Sequence, residues 1–133
     1  MSKLEKDELV KFWLETAEKD YNTMLHLYES KDYHWSLFMG HLVIEKLLKA
    51  LYVKNIGPDV PRTHDLLRIA EKIGISLTEQ TRDYFDLLTT FNITARYPDY
   101  KQTFYKKCTP EFTASIINVV KELREWILML IEK

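Results

Sequence analysis

The sequence is short of the residues that form disulfides and tight turns, with one cysteine, three glycines and four prolines among 133 residues. The lone cysteine, Cys108, cannot form an internal disulfide, so we expect a reducing compartment such as the cytoplasm. So few glycines and prolines argue against the many turns of an all-β protein. The first ten residues, MSKLEKDELV, contain no apolar signal core, and no export signal is predicted.

An excess of charge of either sign is also lacking, because the formal net charge is −1. We therefore expect no DNA or membrane partner, and a nucleotide or RNA contact would need a local patch of charge. The three glycines stand far apart, which excludes a glycine-rich phosphate loop. With 46% hydrophobic and 29% charged residues, the composition is that of a globular protein, and residues 1–133 are predicted to form a single domain.

The most informative stretch is residues 35–54, WSLFMGHLVIEKLLKALYVK, which reads as a helix that is apolar nearly all round. It is not a membrane span, because Glu45, Lys46 and Lys49 would each cost about 2.5–3.5 kcal/mol at a bilayer centre. His41, Glu45 and Lys49 recur at i, i+4 and i+8 and form one polar stripe. The stripe could be a ladder of charges facing solvent, a contact with a second subunit, or the wall of a ligand cleft. We favour a groove at a dimer interface.

Apolar periodicity and helix-capping residues predict the remaining helices. A first helix over residues 4–29 should return antiparallel through the short turn at 29–32. Later helices are predicted over 65–73, with Thr63 as a possible cap and Gly74 as terminator, over 78–94, and from Thr109-Pro110 to about residue 131. Pro98 interrupts the pattern, and residues 101–108 are predicted to be a loop. The predicted fold is an all-α, up-and-down helical bundle of four long helices and one short helix.

Four groups of residues then occur in a telling order along the chain. They are Trp13, Ala17 and Asp20-Tyr21; Phe38, Glu45-Lys46 and Lys49-Ala50; Thr63-His64-Asp65-Leu66; and Arg96-Tyr97-Pro98-Asp99. This order resembles the HEPN domain family (higher eukaryotes and prokaryotes nucleotide-binding) over nearly the whole chain. The resemblance implies a small bundle that forms a homodimer and is often encoded beside a minimal nucleotidyltransferase, in several cases as a toxin–antitoxin pair.

Many HEPN toxins are ribonucleases whose motif is an arginine, four to six residues of any kind, and a histidine. Counted from Arg96, the histidine would fall at Lys101, Gln102 or Thr103. The motif is therefore incomplete, and we predict no catalytic residues.

Arg96 is the first candidate for a nucleotide- or RNA-binding residue, because a guanidinium is a rigid fork of donors that matches a phosphate. It could instead pair with Asp99 or with the carbonyls that end the preceding helix. Tyr97 and Tyr100 could stack on a base, and the resemblance implies that a nucleotidyltransferase could modify such a tyrosine. Aromatic side chains of this kind more commonly fill a loop or a dimer interface.

The other candidates for the same site are Asp99, Lys46, Lys49 and His64. The two lysines could face a phosphate, although Glu45 and Lys49 also suit a solvated ion pair of about 0.3–0.5 kcal/mol. His64 sits beside Thr63 and Asp65, which could simply cap a helix.

No metal and no cofactor is predicted. His41 and Glu45, with His34 on a similar side, could supply metal ligands, but a histidine on a helix face is more often packed or hydrogen-bonded.

Two functional hypotheses remain. The first is the nucleotide-binding or interaction component of a two-component system with a minimal nucleotidyltransferase, without ribonuclease activity. The second is an RNA-cleaving toxin that uses Arg96 with a histidine from elsewhere, such as His64 or His41. A structural partner that binds no ligand is a third possibility.

Overall fold

The computed structural model describes the backbone of residues 1–133 and every side chain except those of Pro98, Asp99 and Lys101. Six helices account for the fold, and the described backbone contains no strand. The helices are α1 Lys3–Glu29, α2 Tyr33–Asn55, α3 Leu66–Ile73, α4 Glu79–Thr94, α5 Pro98–Lys107 and α6 Pro110–Glu132. The predicted all-α fold, with four long helices, is confirmed.

Helices α1 and α2 form an antiparallel hairpin. The chain reverses through a turn in which Lys31 adopts a positive φ of 66°. Contacts between the two helices run in opposite order along the chain: Ser36 Oγ donates to the Met24 carbonyl at 2.8 Å, and Lys46 pairs with Asp20. The hairpin therefore brings residues 13–20 of α1 beside the polar stripe of α2.

The apolar character of α2 is explained by its position at the centre of the molecule. It packs against α1, α3, α4, α5 and α6, and most of its side chains are buried. Gly40 lets α2 lie close to α6 and α1, because a Cβ there would lie 3.1 Å from Val120 of α6 and 3.3 Å from Met24 of α1. Within the described part of the chain, no helix has the length and apolarity required to cross a membrane.

Local capping sets the ends of α3 and α4. Asp65 is the N-cap of α3 and its side chain accepts from the Arg68 amide at 3.3 Å, whereas Thr63 accepts from the Asp65 amide just outside the helix. Asp65 rather than Thr63 is therefore the cap. Gly74 ends α3 with a φ of 85°, as expected for a left-handed cap. Thr78 caps α4 by accepting from the Thr81 amide.

Helix α5 corrects the prediction that residues 101–108 form a loop. Tyr97 is the N-cap of this helix, which runs from Pro98 to Lys107. Phe104 is buried and stacks on Phe91 of α4 with ring centroids 5.2 Å apart. This contact compensates for a segment whose own sequence has little apolar periodicity. The bundle thus has two short helices, α3 and α5, rather than one.

Candidate functional site

The stripe of His41, Glu45 and Lys49 lies inside the monomer. All three residues are buried, and the Lys49 Nζ lies 3.0 Å from Glu45 Oε2 and 5.6 Å from the centre of the Trp13 ring. The chain's own helices therefore cover the stripe. Its interpretations as a solvated ladder and as a groove left open for a second subunit are both wrong, because the antiparallel return of α1 and the loop before α3 occupy that space.

The two lysines predicted to contact a phosphate are already paired. Lys49 is neutralised by Glu45 in the core. Lys46, which is partly buried, forms an ion pair with Asp20 of α1. An ammonium group already compensated by a carboxylate offers little net attraction to an anion, so neither lysine is a free phosphate-binding group.

Glu45 also reaches a residue that is distant in the sequence. Its Oε1 lies 2.7 Å from Nδ1 of His64, which precedes α3. The His64 side chain is 55% exposed while that of Glu45 is 6% exposed. The imidazole therefore bridges a buried carboxylate and the surface, and its Nε2 edge faces away from Glu45.

Two hydrogen bonds hold the segment that carries His64. The His41 Nε2–H donates to the backbone carbonyl of His64 at 2.8 Å, and the Leu66 amide donates to Thr89 Oγ1 of α4 at 3.1 Å. These bonds tie the segment to α2 and α4. His64 is thus on a constrained part of the backbone although it lies outside the helices.

His41 is a neutral imidazole in this arrangement. Burial lowers its pKa from 6.5; the hydrogen bond to the His64 carbonyl and the charge of Glu45 act in the opposite direction, and the charges of His64 and Arg96 add smaller lowering contributions. Its Nδ1 is buried and has no hydrogen-bond partner among the described residues. A proton on Nδ1 would therefore create an unsatisfied buried donor, which explains why the neutral form is preferred.

Arg96 is exposed at the end of α4, and the structure shows how it is oriented. Its Nε donates to the Asn92 carbonyl at 2.7 Å, and its guanidinium lies 5.8 Å from the Phe38 ring and 5.5 Å from the Tyr97 ring. The predicted bond to a carbonyl at the end of the helix is therefore present. This bond uses only Nε, and among the side chains that the structure describes no other hydrogen bond to the guanidinium occurs.

The two tyrosine candidates that follow Arg96 in the sequence are exposed. Tyr97 and Tyr100 are both about half exposed, and Tyr97 lies beside the guanidinium. The predicted contribution of Asp99, including its pairing with Arg96, falls outside the described side chains. His64, Arg96, Tyr97 and Tyr100 are thus exposed, while Lys46 and Lys49 are paired with carboxylates.

Sequence reasoning missed three partners of these residues. The sequence pattern indicated Lys49, but not His64, as a partner of Glu45. It did not indicate that Asp20 pairs with Lys46 or that the Asn92 carbonyl accepts from Arg96. The spacing of Asn92 and Arg96, one helical turn apart, could have suggested their contact. The Glu45–His64 contact had no local signal, because 19 residues separate the pair.

The three residues weighed as metal ligands do not all come together, because only His41 and Glu45 are neighbours, with Nε2 and Oε1 3.7 Å apart. His34 packs against Tyr105 of α5, with ring centroids 4.1 Å apart, whereas His41 faces His64. Among the side chains that the structure describes, no group of three or more His, Cys, Asp or Glu residues has an arrangement that could hold a metal ion.

Comparison with known protein families gives a match that covers nearly the whole chain. The profile of the HEPN domain matches residues 10–130, a range that begins in α1, ends in α6 and includes every site residue described above. The chain belongs to the HEPN domain family. No curated protein and no solved structure matches this HEPN protein. The predicted family is confirmed, and its functional details must be argued from the site.

Proposed function

We propose that this HEPN protein is a nucleotide- or RNA-binding module, and that it acts as a homodimer in a two-component, toxin–antitoxin-like system with a minimal nucleotidyltransferase. The observation that carries the proposal is the state of Arg96. Its guanidinium is exposed, its Nε is tied to the Asn92 carbonyl, and Phe38 and Tyr97 flank it. A guanidinium held in this way loses little side-chain freedom when it binds a phosphate.

The surroundings of Arg96 favour a nucleotide over a simple anion. The half-exposed ring of Tyr97 lies beside it, the ring of Tyr100 is also exposed, and aromatic rings stack on bases of any sequence. His64 contributes a second exposed polar side chain. The chain's net charge of −1 means that affinity must come from these few contacts rather than from a large basic surface.

A direct binding measurement tests the module. Fluorescence anisotropy with a labelled single-stranded oligouridylate, and calorimetry with ATP, would be measured for the wild type and for Arg96→Ala. We expect the variant to weaken binding by at least about tenfold, because a charge-assisted contact to phosphate is lost. Arg82→Ala is the matched control, since Arg82 is an exposed arginine of the same helix whose partner is Glu71. Failure of the wild type to bind either probe, or equal binding by Arg96→Ala, would refute the proposal.

The assembly is tested separately. Light scattering coupled to size exclusion should give a dimer mass at micromolar concentration. If a neighbouring gene encodes a minimal nucleotidyltransferase, co-expression with it should yield a stable complex. A monomer with no affinity for such a neighbour would remove the two-component part of the proposal and leave the binding module.

The Glu45–His64 bond favours a second candidate function, an RNA-cleaving toxin. A histidine oriented by a buried carboxylate is a common form of general base, and Arg96 would stabilise the phosphate. The test is expression of the chain alone. Growth arrest that disappears in both Arg96→Ala and His64→Ala supports cleavage, while harmless expression supports the binding module.

A further inference from the structure

A second cleft lies at the end of α4 opposite to Arg96, outside the site described above. Its walls are the first two turns of α4, the residues that precede them, and the middle of α6. These two helices each pack against α2. The cleft has a volume of about 290 Å³, close to the lower limit of roughly 300 Å³ for sites that take small molecules. At a rise of 1.5 Å per residue, α4 separates it from Arg96 by about 20 Å.

The cleft contains a negative charge that the chain does not compensate. Of the described residues that line it, Glu122 of α6 is the only charged one. Its carboxylate forms no hydrogen bond or ion pair with the described part of the chain. Side chains three and four positions away are neighbours on a helix, and for Glu122 these are Asn118, Val119, Glu125 and Trp126. None of the four is a cation, so α6 itself supplies no counter-charge.

Two aromatic rings line the same cleft. Trp126 lies one helical turn after Glu122 on α6, and Tyr84 lines the cleft from α4. Both residues are partly buried and pack against the hydrophobic core, and the Tyr84 hydroxyl accepts from Gln80 Nε2 at 3.0 Å. Packing therefore restricts the two rings before a ligand arrives, so that binding costs little side-chain freedom.

A carboxylate together with aromatic rings is the chemistry that recognises an organic cation. The face of an indole or phenol ring attracts a positive charge, most strongly in tryptophan. The side-chain oxygens of Ser76 and Gln80 belong to the same lining, and such oxygens accept from N–H groups. An anionic ligand would be repelled by Glu122. An uncharged apolar ligand would remove water from that carboxylate without replacing its hydrogen bonds.

We propose that this cleft is a binding site for an organic ammonium group, whose charge Glu122 neutralises and whose carbon atoms contact Trp126 and Tyr84. The site is independent of the proposed function of Arg96, because the two lie at opposite ends of α4 and share no residue. This HEPN protein thus has a place for a second, chemically different ligand.

The binding test uses two cations, choline and n-butylammonium, each compared with a neutral molecule of similar shape: the tert-butyl analogue of choline, and n-butanol. Choline represents a quaternary amine, and n-butylammonium represents a primary amine or the side chain of a lysine. All four are titrated at constant ionic strength into the ¹⁵N-labelled full chain. The indole N–H signals of its three tryptophans are followed by NMR, and the Trp126 signal is assigned by comparison with Trp126→Phe.

We expect a cation to shift the Trp126 signal saturably, with a dissociation constant in the millimolar range that suits so small a ligand. It should bind about fivefold more tightly than its neutral analogue, the size of a partly exposed cation–π contact. Tighter binding of choline would support the site and assign it to quaternary amines, and tighter binding of n-butylammonium would support it and assign it to primary amines. No saturable shift of Trp126 by either cation, or equal binding of each cation and its neutral analogue, would overturn the inference.

Glu122→Gln tests the role of the charge, and it preserves the shape of an exposed side chain. We expect cation binding to weaken about threefold, as for a partly exposed ion pair, while binding of the neutral analogue stays the same. Glu125→Gln is the matched control, because Glu125 is an exposed glutamate of the same helix outside the described lining of the cleft. Equal weakening by the two variants would show a general effect of surface charge and would overturn the inference.

The same titration separates this inference from the proposed function. Arg96→Ala should leave the binding of the cation unchanged, and loss of cation binding in that variant would place the ammonium site elsewhere and overturn the inference. Oligouridylate binding should be the same in Glu122→Gln as in the wild type. A failure of the chain to bind oligouridylate would refute the proposed function and leave the ammonium site intact.

Discussion

Lys49 and Glu45 form an ion pair that the monomer buries by itself, with Nζ 3.0 Å from Oε2 and side chains that are 10% and 6% exposed. Spacing of i and i+4 on a helix normally indicates a surface pair of small energetic value. Here Glu45 connects the core to His64, because its Oε2 faces Lys49 and its Oε1 faces His64. The interior of α2 thereby contributes to the geometry of an exposed residue.

The first prediction is a non-additive effect on stability at this pair. Glu45→Leu leaves the Lys49 charge buried without its partner, and we expect the free energy of unfolding to fall by about 3–5 kcal/mol. Lys49→Met should cost less, because Glu45 keeps its bond to His64. The double variant should lose less than the sum of the single variants, as measured by urea denaturation and a double-mutant cycle.

A matched surface pair provides the control for that cycle. Lys11 and Glu15 have the same spacing on α1 but are largely exposed. Lys11→Met should change stability by less than about 0.5 kcal/mol. Simple additivity at Glu45 and Lys49 would show that the buried pair behaves like the surface one and would contradict the prediction.

The second prediction concerns pH. Burial lowers the pKa of His41 below its usual 6.5 in the folded state, so the unfolded chain binds the proton more readily. Stability should therefore be complete above pH 6.5 and should fall as the pH drops below that value, by up to about 1.4 kcal/mol per pH unit until the folded-state pKa is reached. His41→Gln, which can still donate to the His64 carbonyl, should reduce this loss. Denaturation of both proteins between pH 8 and 5 measures it, and parallel pH profiles would contradict the assignment to His41.

The third prediction concerns the contact of α2 with α6. Gly40→Ala gains about 1 kcal/mol of helix propensity, but its Cβ would lie 3.1 Å from a Val120 methyl and 3.3 Å from the Met24 sulfur. We expect the close contact to outweigh the propensity and the variant to be destabilised by about 1 kcal/mol. In a Val120→Ala background, the same substitution should become stabilising. Thermal denaturation of the four proteins gives the coupling, and a destabilisation of equal size in both backgrounds would refute the steric account.

The fourth prediction tests why α5 is a helix. Phe104→Ala removes a buried ring that stacks on Phe91, and we expect a loss of about 3–5 kcal/mol. If docking supports the helix, amide hydrogen exchange should accelerate along residues 98–107 more than elsewhere. Tyr100→Ala, at an exposed ring of the same helix, should change stability by less than about 0.5 kcal/mol. Unchanged exchange in Phe104→Ala would show that α5 is stable without this contact.

The amino-acid sequence was sufficient for the long helices because their signals are local. The apolar run of α2, the cap at Thr78, the left-handed Gly74 and the Thr109-Pro110 start of α6 each act within one or two turns of chain. The family resemblance likewise rested on short groups of residues in order, and the match over residues 10–130 confirms it.

The tertiary structure decided everything that depends on what lies across from a residue. The apolar periodicity of residues 101–107 is weak, and the stacking of Phe104 on Phe91 explains why they are helical. The polar stripe of α2 was visible as a periodic pattern, but periodicity states which side chains align and not what covers them. Its burial, and the meeting of Glu45 with His64 across 19 residues, follow from the return of α1 and the loop before α3, since long-range packing has no local signature in the chain.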